Sequence, residues 1–439
     1  MPSIRYLFRL ITAFLSRFKA LIIIGICLGV VFFFVLNLVI PRFGGWQISR
    51  IGLSGRFTVN NLPDSIQEMI GDGLTKLDKN DAVIPNIATS WSTSDNGKTW
   101  TFKIKKGLLW QDGRVLVSHD LVYQFSDATV SYPDSQSIVF SLQNVYSAFP
   151  SVVSKPVFRS GLLGTGEWKV KSLDLVNDYV DVLTLENNKK QRITYKFYPT
   201  EDDAKLGFEL GQVDSVIDLI DPSPISTWSH VKTSKATNKD SSVDIFFNIN
   251  DKAVSDKSVR QILAYAINKD VLGGERAISP ISENSWAYNP QVKPYSYDPA
   301  KAKTMIAALT ADERKLLTIT LTTSPLLLPQ AELIQKDWQA VGIQTNLQIV
   351  SNVPANYQVL LAIFDIPNDP DQYTMWHSTQ TQTNITHYSN PRIDQLLENG
   401  RTTVNIEDRK QIYLDFQRFL VEDSPAIFLY YPTIYSVER

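Results

Sequence analysis

Side-chain chemistry needs nucleophiles, metal ligands or acid–base pairs at workable spacing. The sequence offers four histidines, His119, His230, His377 and His387, with no HExxH and no close pair at metal-ligand spacing. Its one cysteine, Cys27, excludes a disulfide framework within the chain. A GxSxG, a GxxxxGK and a GxGxxG after a strand are all missing. No catalytic or nucleotide-binding constellation is legible, and neither a cofactor nor a metal is called for. The stretch Leu361–Trp376 reads LAIFDIPNDPDQYTMW. There Asp365 follows an apolar run, and Asp369-Pro370-Asp371, Tyr373 and Trp376 come after it. Asp369-Pro370-Asp371 is also ordinary turn chemistry, and the two rings suit a pocket or a core equally well.

The elements that must position such groups are clearest in Asn86–Phe125. A strand closes on Trp91. Ser94-Asp95-Asn96-Gly97 is a turn, because Asn and Gly tolerate positive φ. Thr99–Ile104 alternates, with Trp100, Phe102 and Ile104 on one face. Gln111-Asp112-Gly113 is a second turn, and Ser118 is predicted to cap a helix through Asp120, Leu121 and Val122.

The residue identities say more than the spacing. Trp91, Ser94, Gly97, Lys98, Trp100, Phe102, Gly107, Trp110, Asp112, Gly113, Ser118 and Asp120 resemble the signature of the extracytoplasmic solute-binding proteins of family 5. These are the oligopeptide-, dipeptide- and nickel-binding components of ABC importers. A second match is Phe247, Asn248, Asp256, Val259, Arg260, Gln261, Ala264 and Ala266-Ile267. Pro85, Ala88 and Trp91, then Gly164-Thr165-Gly166, then Gly211-Gln212-Val213-Asp214 resemble shorter segments of the same family. Glu167 and Trp168 stand where its Pro and Tyr are usual.

At 439 residues the chain exceeds one ordinary core, so two or more lobes are expected. The resemblance implies an α/β periplasmic-binding-protein type II fold, with two lobes of mixed sheets joined by a hinge. Lobe I is expected over 45–238, with an inserted subdomain near 78–160, and lobe II over 239–439. The crossing is placed in the polar stretch Ser234–Ser242, which lacks a periodic face. The family implies a C-terminal end that returns to lobe I. Whether lobe I is trimmed at Arg439 or the sequence continues stays open. Ser255 is predicted to cap the helix whose apolar face is Val259, Ile262, Leu263, Ala266 and Ile267. Asp298-Pro299 opens another helix, Gly342 ends a third over Ala331–Val341, and Asn405–Glu422 is the last.

Ala20–Ile40 is 21 uncharged residues with one polar amide, Asn37, long enough to span a bilayer. Arg5, Arg9, Arg17 and Lys19 precede it without an acid, which predicts a cytoplasmic stretch 1–19, an uncleaved anchor and an extracytoplasmic remainder. That remainder is acidic, which argues against nucleic acid as a partner.

What the resemblance implies about function is capture of peptides in a cleft between the lobes, without catalysis, for an ABC permease. An aspartate in the Leu361–Trp376 region then pairs with the peptide's α-ammonium. Asp365 is the first candidate and Asp369 the second, with Tyr373 and Trp376 as pocket rings. A buried amine needs such a carboxylate. Arg392 and Lys336 are read as helix or surface charges rather than as a site for the peptide carboxylate. The alternatives are a non-peptide solute, such as a nickel chelate, haem or sugar, and a sensor or scaffold without transport.

Overall fold

The computed structural model describes residues 46–439 apart from 353 and 355, together with 17–19 and 29. The apolar run 20–40 lies outside the described residues but for Gly29. Among the described residues no helix is long and apolar enough to cross a membrane.

Among the described residues, nineteen strands form two lobes and a subdomain. They are β1 (Gln47–Ser54), β2 (Thr75–Leu77), β3 (Val83–Pro85), β4 (Ala88–Thr93), β5 (Thr99–Ile104), β6 (Ala128–Asp134), β7 (Ser137–Leu142), β8 (Lys169–Val176), β9 (Tyr179–Glu186) and β10 (Gln191–Tyr198). After them come β11 (Ser215–Leu219), β12 (Lys232–Thr237), β13 (Ser241–Phe247), β14 (Glu275–Arg276), β15 (Thr318–Thr323), β16 (Gln344–Ile349), β17 (Val359–Asp365), β18 (Ala426–Tyr431) and β19 (Thr433–Glu438). The lobe I sheet runs β12-β19-β11-β1-β10-β9-β8, and the lobe II sheet β14-β18-β13-β17-β15-β16. Both are mixed: β1 is parallel to β10 and β11, and β15 to β16 and β17, among antiparallel neighbours. The sheet β4-β5-β7-β6 and the hairpin β2–β3 form the subdomain beside lobe I.

Strand β13 sits centrally in lobe II, and every residue of it is buried. Its one carboxylate, Asp244, accepts from Ser242 Oγ at 2.6 Å and from the Leu429 N–H at 3.4 Å. The following helix, α1 here (Lys257–Ala266), is capped by Asp256, which accepts from the Ser258 N–H at 2.6 Å. The cap is thus one residue beyond the predicted Ser255. Ser255 instead donates to the Lys252 carbonyl. Val259, Ile262, Leu263, Ala266 and Ile267 are all buried, as their spacing requires. Arg260 is buried too. It donates to the carbonyls of Val254, Ser255, Asp423 and Ser424, so the second signature segment locks α1 to the end of helix α2 (Ile406–Asp423).

The first signature segment folds as β4, β5 and their turns. Trp100, Phe102 and Ile104 face inward, with Phe102 edge-on to Phe140 at 5.7 Å. The expected helix after Ser118 is only a 3-10 turn, Ser118–Asp120, and 121–127 is irregular. Three hydrogen bonds explain the early stop. Asp120 accepts from the Val117 N–H at 3.0 Å and from the Trp110 indole at 3.2 Å, and Ser118 Oγ is spent on the Asp134 carbonyl. Ser118 is therefore not a helix cap.

The chain crosses between the lobes at 238–240 and again at Pro432. β12 and β19 belong to lobe I, while β13 and β18 belong to lobe II. The Asn238 N–H donates to the Pro432 carbonyl at 2.9 Å, tying the two crossings together. Most of the stretch read from sequence as an irregular crossing is strand. β12 is an edge strand exposed along nearly its whole length, so it has no buried face to show a period.

Gly164-Thr165-Gly166 packs on the helix Asp64–Ile70. A Cβ at Gly164 would stand 2.0 Å from the Ile70 carbonyl oxygen, and one at Gly166 would stand 2.4 Å from that of Met69. Backbone cannot yield as a flexible side chain can. Gly164→Ala should cost at least about 2 kcal/mol, which calorimetric unfolding will read as a lowered Tm.

Candidate functional site

A cavity of about 620 Å3 lies between the lobes. Lobe I lines it with Asp64, Glu68, the turn Gly71-Asp72-Gly73, Lys76, Leu77, Asn86, Ser151, Ser154, Lys155 and Pro156. Lobe II contributes Ile366–Asp369, directly after β17. The lobe I wall is built by the signature segments. Gln111 Nε2 points at the carbonyls of Ile70, Gly166 and Trp168 at 2.9, 3.0 and 2.7 Å. Thr165 Oγ1 donates to Asp72 at 2.7 Å and accepts from the Asp72 N–H at 3.1 Å, while Asn86 donates to the other Asp72 oxygen at 3.0 Å. The second turn of the first signature and the Gly-Thr-Gly segment thus hold the end of one cavity-lining helix.

Asp64, Glu68 and Asp72 recur every four residues, which sets them along one face of that helix and its extension. Partial burial, then the neighbouring Asp64 charge, push the Glu68 carboxyl pKa up. Against these acids stand Lys76 and Lys155, neither of which has a hydrogen-bond or ion-pair partner among the described residues.

On lobe II, β17 ends at Asp365, whose register partner is Ser241. The next N–H, of Ile366, donates to the Asp240 carbonyl at 2.8 Å, which pins this strand end to the crossing. Asp365 is exposed at the rim, beside the lining rather than in it, and its carboxylate has no partner among the described residues. Asp369 does line the cavity, but its two oxygens accept from Arg409 at 2.5 and 2.8 Å. Burial opposes the Arg409 charge, yet Asp369 holds its pKa above the ordinary value. A carboxylate so committed is a poor acceptor for an ammonium.

The two rings lie away from the cavity. Trp376 is fully buried in lobe II, its indole donating to Gln372 Oε1 at 2.8 Å and its ring 6.4 Å from Phe246. Tyr373 stacks on His377 at 4.1 Å, with the Arg401 guanidinium 4.2 Å from its ring. Neither Arg392, which sits 3.8 Å over Phe419, nor Lys336 reaches the cavity. The lobe I residues escaped sequence reading. The four-residue spacing of the acids was visible, but the lysines acquire meaning only when two distant segments meet.

The lobes also touch beside the cleft. The Trp286 N–H donates to the Asn80 carbonyl at 2.8 Å. Ser147 donates to the carbonyls of Arg401 and Gly400 at 2.7 and 2.9 Å, and Arg401 lies 5.2 Å from the Tyr146 ring while paired with Asp371 at 2.8 Å. In the β2–β3 turn, burial, then Asp240, then Asp78 push the Asp81 carboxyl up to about 6.

Two mixed-sheet lobes, two tied crossings and a cavity walled from both sides define a two-lobed ligand receptor. The chain belongs to the bacterial extracellular solute-binding proteins, family 5, whose model (the "Middle" segment) matches residues 82–141 and 128–385. That family is defined by binding solutes, not by catalysis. The dipeptide-binding protein of Escherichia coli K12 is 23% identical over 81% of this chain and 82% of its own. The oligopeptide-binding protein AppA of Bacillus subtilis is 24% identical over 86% and 83%. Among solved structures, NikZ of Campylobacter jejuni, in complex with Ni(L-His), superposes with a TM-score of 0.71 at 21% identity, covering 89% of this chain and 94% of that one. That likeness establishes the fold.

Two predictions concern the charges around the cavity. Arg409→Met strands the Asp369 carboxylate in a buried setting and should cost about 3–5 kcal/mol in urea unfolding. Asp81 releases its proton near 6 when folded and ordinarily near 3.8. Between those values the native state holds a proton that the unfolded chain has lost. Stability from this group therefore falls as pH rises through that window and stays lowered above it. Asp81→Asn should accordingly be more stable than the parent at about pH 7.5, with the gain gone by about pH 4, in thermal melts across pH.

Proposed function

We propose that this protein captures peptides in the cleft between its lobes and delivers them to an ABC permease. The cavity walled by both lobes carries this reading, with the unpartnered Asp365 at the strand end beside it. Asp365 receives the peptide's α-ammonium, because an amine that leaves water needs a charge-assisted acceptor. The rest of the backbone is held by main-chain groups, with the peptide added as a strand. Ligand bridging both lobes favours the closed form, since only that form offers both sets of contacts. Curated relatives named for dipeptide and oligopeptide binding support the peptide class.

The apolar run Ala20–Ile40, preceded only by basic charge, tethers the receptor to the membrane with its lobes outside. A tether raises the receptor's effective concentration at its permease.

Native mass spectrometry of the purified full chain in detergent should release a heterogeneous set of short-peptide masses on unfolding. A single non-peptide mass would overturn the peptide class. In titration calorimetry Asp365→Ala should weaken peptide binding by about 2–5 kcal/mol, and unchanged affinity would remove Asp365 from the site.

A further inference from the structure

The apolar run Ala20–Ile40 ends five residues before Trp46, where the described part of lobe I begins. The steps from Ile40 to Trp46 span at most about 20 Å of chain. Lipid headgroups fill about 5–8 Å beyond each face of a bilayer's apolar core. A run anchored in the membrane therefore holds the start of β1 close to a lipid surface.

The start of β1 is one end of the lobe I sheet. The Gln47 N–H donates to the Lys190 carbonyl at 2.9 Å, and Ile48 is the register partner of Arg192. Glu186 is in register with both Arg192 and Lys169, so β8, β9 and β10 reach the same end. Trp46 and Ile48 are 41% and 53% exposed there, and the Arg192 guanidinium sits 4.9 Å from the Trp46 ring. Five basic side chains, Lys169, Lys171, Lys189, Lys190 and Arg192, stand against Glu167 and Glu186. Lys189 takes Glu167 at 2.7 Å and Arg192 takes Glu186 at 2.8 Å, while Lys171 and Lys190 are exposed, with no ion-pair partner among the described residues. Toward the β12 edge the charges balance instead. Arg50 pairs with Asp214, and Lys232 is the register partner of Glu438.

We propose that this end of the lobe I sheet rests on the anionic phospholipid surface beside the anchor, with Trp46 among the headgroups and the basic side chains on lipid phosphates. The inference rests on the tether reading. An exposed indole suits that boundary, because its ring is apolar and its N–H is polar. Attraction between lysines and an anionic surface acts within a Debye length, about 8 Å at physiological salt, which the short connection to β1 permits. The chain beyond the apolar run is acidic overall, so an anionic surface draws this basic end and repels the rest. Docking gives the lobes one orientation over the membrane.

The test places the full chain, carrying Cys27→Ser, in nanodiscs of phosphatidylcholine or of phosphatidylglycerol. A fluorophore is attached at Asn188→Cys, beside the lysines, or at Val176→Cys, at the far end of β8, and spin-labelled headgroups quench it. At Asn188 the ratio of docked to undocked receptor should be about tenfold or more higher in phosphatidylglycerol than in phosphatidylcholine. At Val176 the two lipids should give the same weak quenching. The double variant Lys171→Glu, Lys190→Glu should lose the gain at Asn188, and a control with Lys303→Glu and Lys336→Glu, both on lobe II helices, should keep it. Equal quenching at Asn188 in the two lipids, equal quenching at Asn188 and Val176, or a gain that survives in the double variant overturns the docking and leaves the tether standing. A chain that stays out of the nanodiscs when detergent is removed overturns both.

Discussion

The chain passes between the lobes twice, and the bond from the Asn238 N–H to the Pro432 carbonyl makes those passages one hinge. β19 enters the lobe I sheet between β11 and β12, while β18, one residue earlier, lies in the lobe II sheet. The lobe I sheet is complete only with β19, which arrives after the chain has passed through lobe II and returned. The end of β17 is tied to the same crossing, since the Ile366 N–H bonds to the Asp240 carbonyl.

The cleft contains many carboxylates, and their partners divide structural from available charge. Asp369 and Asp371 serve Arg409 and Arg401, which belong to helices packed behind the cavity. Asp244 is sealed in the lobe II sheet, and burial pushes its carboxyl up to about 7. An ionised group in such surroundings needs its partner, or it takes a proton. Asp365 at the rim has no such partner among the described residues.

The signature residues prove to be builders of the cleft more than its lining. Gln111 gathers three carbonyls, Trp110 holds Asp120, and the Gly164 and Gly166 contacts admit no side chain. Arg260 does the same for lobe II by collecting four carbonyls where α1 meets the end of α2. Shape is fixed by these residues, and ligand choice is left to neighbours that the signature does not include.

Local order was legible in the sequence because it rests on local rules. Alternation gave β5, four-residue periodicity gave α1, Asn405 gave the start of α2, and turn chemistry gave Asn96-Gly97, both at positive φ. The family followed from residue types at fixed spacing. Where local signals competed with tertiary ties the reading slipped. Ser118 looked like a cap and bonds to Asp134 instead, and the exposed β12 showed no period. The surroundings of the candidate binding residues were least legible. Nothing in LAIFDIPNDPDQYTMW distinguishes Asp365 from Asp369, or a pocket ring from a core ring. Arg409, forty residues on, decides the first, and the packing of Trp376 against Phe246 decides the second. Sequence alone determined which elements form and which family they compose, because those depend on neighbours along the chain. Only the tertiary structure decided which charges are free, because a charge is neutralised by whatever lies beside it in space.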